Sequence, residues 1–535
     1  ELTNTEIDLT FLASASHDFG EHFAARALVG FNANERTYDE SRLVGDQVID
    51  PSVLTISGTL SQIGSERTSL RRFYGIFGEL TLSYNDYAYL TVSARNDHSS
   101  TLPKANNSYL YPAISGSFIF TDALNLPKNI LNFGKIRANY AKVGKDADPY
   151  SVLTAYDLGR TTVNGTAYST AALPAQLNNQ ALKPEFTTET EVGTELQFFG
   201  NRINIDAAYF YRKSTDLIVP RRIPATTGFF TEITNAGQID NKGIEIALTL
   251  VPVRLSNGLE WSSSFAFTRL RSEVVDAGPS NEIFLGGTGL SSLGTMHRVG
   301  NPYGMIYGTI NARSTTSGKV LINQASGLPF FSPQSQLLGN PAPDYTLGWT
   351  NTINYKGFSL SALIDYRKGG KIFSSTAASL LLRGQLKNSE DREGLRVIPG
   401  VLGDPATYAP ILDDAKQEQR NTIPMTAFQF HFTNGYGAYG ADETNVYDAT
   451  VFRLREVTLG YSVPKAFLQK YAKLFGSLRA SVSGRNLFFI APNLLEGLNF
   501  DPEVLSSYPD LNIQGFDLGA APSTRRFGVN LTASF

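Results

Sequence analysis

Apolar and polar residues alternate along this chain in runs of about ten. The final run, 525–535, shows it most clearly. Phe527, Val529, Leu531, Ala533 and Phe535 share one face, and Arg526, Gly528, Asn530, Thr532 and Ser534 share the other. Period-two alternation over about ten residues suits a tilted strand that crosses a bilayer. A soluble edge strand ending on an aromatic residue would be an aggregation hazard. In a membrane barrel the same apolar face meets lipid, and the terminal Phe535 reads as a barrel-assembly signal. In 203–212 the outward set is Ile203, Ile205, Ala207, Tyr209 and Tyr211, and the inward set is Asn204, Asp206, Ala208, Phe210 and Arg212. In 358–367 Phe358, Leu360, Ala362, Ile364 and Tyr366 alternate with Ser359, Ser361, Asp365 and Arg367. In 477–486 Leu478, Ala480, Val482 and Gly484 oppose Arg479, Ser481, Ser483 and Arg485. Segments 190–199 and 243–250 repeat the pattern.

About fifteen such strands are expected, near 5–15, 22–32, 72–84, 88–97, 110–120, 134–143, 190–199, 203–213, 242–252, 260–270, 344–354, 358–367, 450–461, 477–486 and 525–535. In 451–461 the outward phase slips near Arg455-Glu456, which predicts a bulge or an early strand end. The connections alternate in length. Short ones fall at 16–21, 85–87, 200–202, 253–259 and 355–357, with intermediate ones at 121–133 and 462–476. Long ones fall at 33–71, 98–109, 144–189, 214–241, 271–343, 368–449 and 487–524. Short turns on one side and long loops on the other are the asymmetry of an outer-membrane barrel. Loops of this length are commonly functional.

Composition sharpens the picture. Gly 47, Tyr 25 and Phe 34, against two Trp and three Met, suit strands, turns and interfacial aromatic girdles. No run of 18 apolar residues exists, so the sequence predicts no transmembrane helix. A net charge of −3 argues against a nucleic-acid protein. The absence of cysteine removes disulfides and thiolate metal sites. The chain begins Glu1-Leu2-Thr3 without a signal peptide, and reads as the C-terminal part of a longer polypeptide.

A set of motifs recurs in a familiar order. They are Tyr74-Gly75-Ile76-Phe77-Gly78, Ser93-Ala94-Arg95-Asn96-Asp97, Lys135-Ile136-Arg137-Ala138-Asn139-Tyr140, Leu182-Lys183-Pro184-Glu185 and Glu189-Thr190-Glu191-Val192-Gly193. Asn235-Ala236-Gly237, Gly339-Asn340-Pro341-Ala342-Pro343, Phe452-Arg453-Leu454-Arg455, Ser483-Gly484-Arg485-Asn486 and Phe500-Asp501-Pro502-Glu503 follow. The set resembles the SusC/RagA family of TonB-dependent outer-membrane transporters of the Bacteroidetes, over nearly all of the chain. The resemblance implies an all-β transmembrane antiparallel barrel of about 22 strands. Residues 1–535 would form its C-terminal part, and the plug and the TonB-binding segment would lie outside this sequence. It also implies a SusD-like surface lipoprotein, a TonB-type energy-coupling complex, and a dimer of transporter–lipoprotein pairs.

No catalytic signature, phosphate loop or nucleophile elbow appears, and neither a cofactor nor a metal is expected. Asp146-Ala147-Asp148 offers oxygen ligands at i and i+2 but lacks the later carboxylates of a calcium loop, so it reads as a solvated loop. Arg95, Asp97, Asp206, Arg212, Asp365, Arg367, Arg479 and Arg485 should face the lumen, because an Arg facing lipid near the midplane costs about 2–4 kcal/mol. They would line the pore, hold the plug, or pair within the wall. Loop aromatics include Phe428 and Phe430; Tyr150, Tyr307, Tyr436 and Tyr439 are the ligand candidates, since aromatic faces suit sugar rings and peptide side chains. Tyr84, Tyr87, Tyr355 and Trp261 sit by short turns and read as a periplasmic-side girdle. The sequence thus points to an outer-membrane importer of oligosaccharides or peptides. A passive porin-like channel and a soluble β-rich binding or adhesion protein are the competing readings.

Overall fold

The computed structural model describes every residue except 165, 288–292, 435–439, 472–473 and 504–512. Its main feature is one fifteen-stranded sheet in which neighbours in sequence are neighbours in the sheet. The strands are β1 (Leu2–Phe19), β2 (Phe23–Val48), β3 (Thr59–Tyr84), β4 (Ala88–Ser99), β5 (Ser108–Ile119), β6 (Leu131–Lys145), β7 (Glu185–Phe198), β8 (Ile203–Thr215), β9 (Gln238–Arg254), β10 (Glu260–Asp276), β11 (Tyr345–Tyr355), β12 (Phe358–Lys368), β13 (Val451–Ser462), β14 (Ser477–Ile490) and β15 (Arg526–Ser534). Connections of two to five residues alternate with longer ones, except that 120–130 and 463–476 on the short side are of intermediate length, as the sequence predicts, and 100–107 on the long side is shorter than 120–130. No helix among the described residues is long and apolar enough to cross a membrane.

The chain divides into two compact units. β1–β5 belong to the first, β10–β15 to the second, and β6–β9 have residues in each. Within each unit the period-two pattern separates two chemically distinct faces. In the first, Leu80, Leu90, Val92, Ile114 and Ile136 lie exposed on one face, while Thr81 and Thr91 hydrogen-bond at 3.1 Å on the other. In the second, Leu360 and Leu459 pair across β12 and β13 and are both exposed. Val529, on β15, is 82% exposed. An apolar face this extensive is not stable against water; it fits a hydrocarbon solvent.

Two expectations need correction. Residues 33–71 are not one long loop. β2 and β3 stay paired from Phe23↔Tyr84 as far as Val48↔Thr59, and only 49–58 connects them. The added stretch is polar on both faces, so no hydrophobic period marks it. Cross-strand links carry it instead: Arg72 Nε to Glu35 at 2.6 Å, Thr68 Oγ1 to Asp39 at 2.8 Å, and Arg36 Nε to Glu6 at 2.9 Å.

The other long connections are more than loops: they hold most of the buried apolar clusters. In the second unit Ile372, Ala377, Leu381, Leu386, Leu498 and Phe500 form one cluster, and Leu293, Ile306, Phe373 and Phe516 another. Short strands organise these segments, including a four-stranded sheet of 282–287, 294–298, 305–308 and 336–339. A helix, α1 (Ser375–Leu382), starts at Ser374, whose side chain accepts from Ala377 N and donates to the fully buried Asp517 at 2.6 Å. In the first unit Leu102, Tyr109, Ala147, Leu182 and Ile233 pack together.

Candidate functional site

The sheet's polar faces carry the charged candidates, and strand alternation puts them there. On β4, Arg95 and Asp97 are two residues apart and share a face. Arg95 Nε donates to Asp97 Oδ1 at 2.7 Å, its guanidinium lies 5.2 Å from the Phe77 ring centroid, and the Tyr111 hydroxyl also donates to Asp97. A Cβ at Gly75 would lie 2.0 Å from Asp97 Oδ1, so the motif glycine makes room for this cluster. Arg212 donates to Glu189 at 2.7 Å, and Asp206 sits half-buried on β8.

The densest network lies in the second unit. Against β12 the register of β13 breaks between Leu454 and Glu456, which places a bulge at Arg455; against β14 two residues, Asn486 and Leu487, stand opposite Arg455. The extra residue turns Arg455 and Glu456 toward the same side. Arg455 then donates to Asp365 at 2.6 Å and to Glu503, while Glu456 accepts from Arg485 Nε at 2.9 Å. Arg453, almost wholly buried, donates to Asp501 at 2.7 Å and to Asp365 at 3.3 Å. The hydrogen bond from Arg455 holds the Glu503 carboxyl below the usual carboxylate range, against an opposing push from burial. Arg367 donates to the Pro341 carbonyl at 2.6 Å and Arg479 to Ser359 Oγ at 2.8 Å. Arg453, Arg455, Asp501 and Glu503 were not among the candidate site residues. The spacing held a signal: cations at i and i+2 in 453–455 face carboxylates at i and i+2 in 501–503.

Several ordered motifs are clasps that hold connections to the sheet. Asn235 accepts from Lys183 N at 2.8 Å and donates to the Lys183 and Asp216 carbonyls, while Glu185 accepts from Ile218 N at 2.7 Å. Asp146 is not solvated, contrary to expectation. It is buried, takes Arg71 at 2.6 Å, and accepts from Ser99 and from Thr101 at 3.0 Å. That is a structural anchor. Among the described residues no His, Cys, Asp or Glu cluster could hold a metal.

The aromatic candidates separate. The Tyr150 hydroxyl accepts from Leu70 N at 3.2 Å in the first unit. Tyr307 lies on a short strand of the second unit, with its ring 5.9 Å from that of Phe284. Tyr436 and Tyr439 lie outside the described residues. Of the girdle candidates, Tyr84 and Tyr87 meet edge to face at 5.5 Å, and Trp261 donates to Asn351 at 3.2 Å. A cleft of 590 Å³ opens within the second unit's long connections, lined by residues that include Leu381, Asn388, Arg396, Ile398, Phe430 and His431. Only Phe430 among these six appeared as an aromatic of interest in the sequence.

Residues 2–487 match the family described as TonB dependent receptor-like, beta-barrel. The chain belongs to that family. It is 25% identical over 495 residues to TonB-dependent receptor P3 of Formosa agariphila, covering 86% of this chain and 45% of that protein. It is 23% identical over 481 residues to TonB-dependent receptor SusC of Bacteroides thetaiotaomicron, covering 86% of this chain and 43% of that one. The chain therefore spans about half the length of the relatives it matches. The structure of the RagAB peptide transporter superposes with a TM-score of 0.74 at 16% identity, covering 100% of this chain and 56% of that one, and so shares the fold. The receptor is an outer-membrane β-barrel protein, and its family comprises receptors and transporters rather than enzymes. That removes the soluble adhesion reading. The exposed apolar strand faces are the faces such a barrel turns to lipid.

Proposed function

We propose that residues 1–535 are the barrel portion of an active importer that carries oligosaccharides or peptides across the outer membrane. The observation that carries the reading is the two-faced sheet of a TonB-dependent receptor. Its apolar face meets outer-membrane lipid. Its polar face, with Arg95, Asp97, Asp206, Arg212, Asp365, Arg367, Arg479 and Arg485, lines the lumen. Arg95, Asp97, Arg212, Asp365 and Arg485 stand in ion pairs there, and Arg367 and Arg479 donate to a carbonyl and a hydroxyl, which suits a hydrated wall. The long connections supply the ligand-facing surface on the cell exterior, with Tyr150, Tyr307, Tyr436 and Tyr439 as candidate contacts. A SusD-like lipoprotein shares that surface, and pairs of the two assemble as a dimer. A TonB-type complex drives opening through residues outside this chain, in the part of the relatives' length that it does not span. RagAB, a peptide transporter by name, supports the peptide branch, and SusC supports membership in its class of receptor. Purification of the native protein from outer membranes tests the reading. A band of about 100 kDa, with a co-purifying surface lipoprotein, is expected of a complete plugged barrel. A lone band of this chain's own 58.4 kDa would move a passive channel to first place.

A further inference from the structure

The cleft in the second unit has a chemistry that the import reading does not use. Its 590 Å³ lies within the range of small-ligand sites. Most of its lining is apolar, with Leu381, Val397, Ile398, Phe430, Tyr447 and Leu495 prominent. Among the lining residues Arg396 is the only side chain that is charged at neutral pH. Burial first, and the Arg396 guanidinium second, hold the His431 imidazole down at about 4, so it stays neutral there. Arg396 donates Nη1 and Nη2 to one acceptor, the Asn388 carbonyl, at 3.3 and 3.2 Å. Among the described residues it forms no ion pair, and no carboxylate lines the cleft. A guanidinium has five N–H donors, so three are left for a ligand.

We propose that this cleft binds the C-terminal residue of a short peptide, with its apolar side chain against Leu381, Ile398 and Phe430 and its α-carboxylate on Arg396. The inference rests on the import reading and narrows its substrate class. A forked guanidinium matches a carboxylate in two parallel hydrogen bonds, and an apolar wall excludes the water that would weaken them. A sugar fits the same walls poorly. Its hydroxyls lose their water on entry, and although Asn311, Asn388 and Thr444 can return some hydrogen bonds, none makes the charge-assisted pair that a carboxylate makes with Arg396.

The test uses the full-length receptor purified from outer membranes, with the tripeptide Gly-Gly-Leu, its C-terminal amide, and a glucuronic-acid disaccharide as calorimetric titrants. The acid should bind at least about tenfold more tightly than the amide, as loss of a charge-assisted hydrogen bond implies. Arg396→Gln should abolish that difference and Arg396→Lys should keep part of it. Equal binding of acid and amide to the unmodified receptor overturns the proposal without any variant. So does an unchanged preference in Arg396→Gln, or binding of the disaccharide in preference to the peptide. Uptake by cells carrying Arg396→Gln separates the two readings. Energy-dependent uptake of other nutrients that persists while acid and amide bind alike sinks the cleft assignment alone. Uptake that is unaffected by deletion of the whole gene sinks the import reading.

Discussion

Asp146 shows what a single residue conceals. In sequence it is one of two nearby aspartates in a polar segment, because its partner Arg71 is 75 residues away. Removing its carboxylate leaves the Arg71 guanidinium without its ion pair and the Ser99 and Thr101 hydroxyls with only each other. Asp146→Ala should therefore destabilise the protein by about 1–3 kcal/mol, since the Arg71 it leaves is partly exposed, whereas Asp148→Ala, at an exposed position, should stay within about 0.5 kcal/mol. Thermal unfolding of the two variants side by side checks this. His297 makes a second residue-scale prediction. It is buried in the short strand 294–298, where burial lowers its pKa to about 4, and its Nε2 has no hydrogen-bond partner among the described residues. In the unfolded chain it titrates near 6.5. Between those values the unfolded state binds a proton that the folded state refuses. Its contribution is thus complete above about pH 6.5 and lost as pH falls toward 4. His297→Phe should flatten the decline in melting temperature across that window; a profile identical to the parent's would contradict the assignment.

At the scale of elements, legibility followed burial on one face. Wherever one face of a strand is apolar and the other polar, the period shows, and all fifteen sheet strands were visible for that reason. The slip at Arg455 was visible too, since an inserted residue reverses the phase of everything after it. The outer parts of β2 and β3 were not, because Asn34, Arg36, Asp39, Glu40 and Arg42 give no hydrophobic period. The clusters in the long connections were hidden for a different reason. Leu293, Ile306, Phe373 and Phe516 come from four separate segments, and no local pattern announces their meeting. The site was legible in part: alternation placed the charged residues on the polar faces, but their partners and the cleft needed three dimensions. The bulge network predicts its own behaviour. Asp501→Ala leaves buried Arg453 with Asp365 as its remaining close partner, so residues 491–503 should loosen from the sheet. Limited proteolysis of the purified protein should then cut this segment faster while the strands stay intact. An unchanged cleavage rate would mean that the segment is held by its apolar contacts instead.

At the scale of the whole molecule, everything turns on which face of the sheet meets lipid. Leu360 and Ser361 are neighbours on β12 with opposite orientations, so arginine at each reads the face directly. Leu360 lies two residues inside β12 from the short turn, so Leu360→Arg should cost less than the about 2–4 kcal/mol of a midplane arginine but still deplete the protein from outer-membrane fractions, while Ser361→Arg should leave its level close to normal. Import itself is tested most directly by energy coupling. Labelled peptide and oligosaccharide pools would be supplied to cells with the gene intact or deleted, with and without collapse of the inner-membrane proton gradient. An active importer accumulates the label only when both the gene and the gradient are present. Uptake that needs the gene but persists after the gradient is collapsed would contradict it, and would make the protein a passive channel.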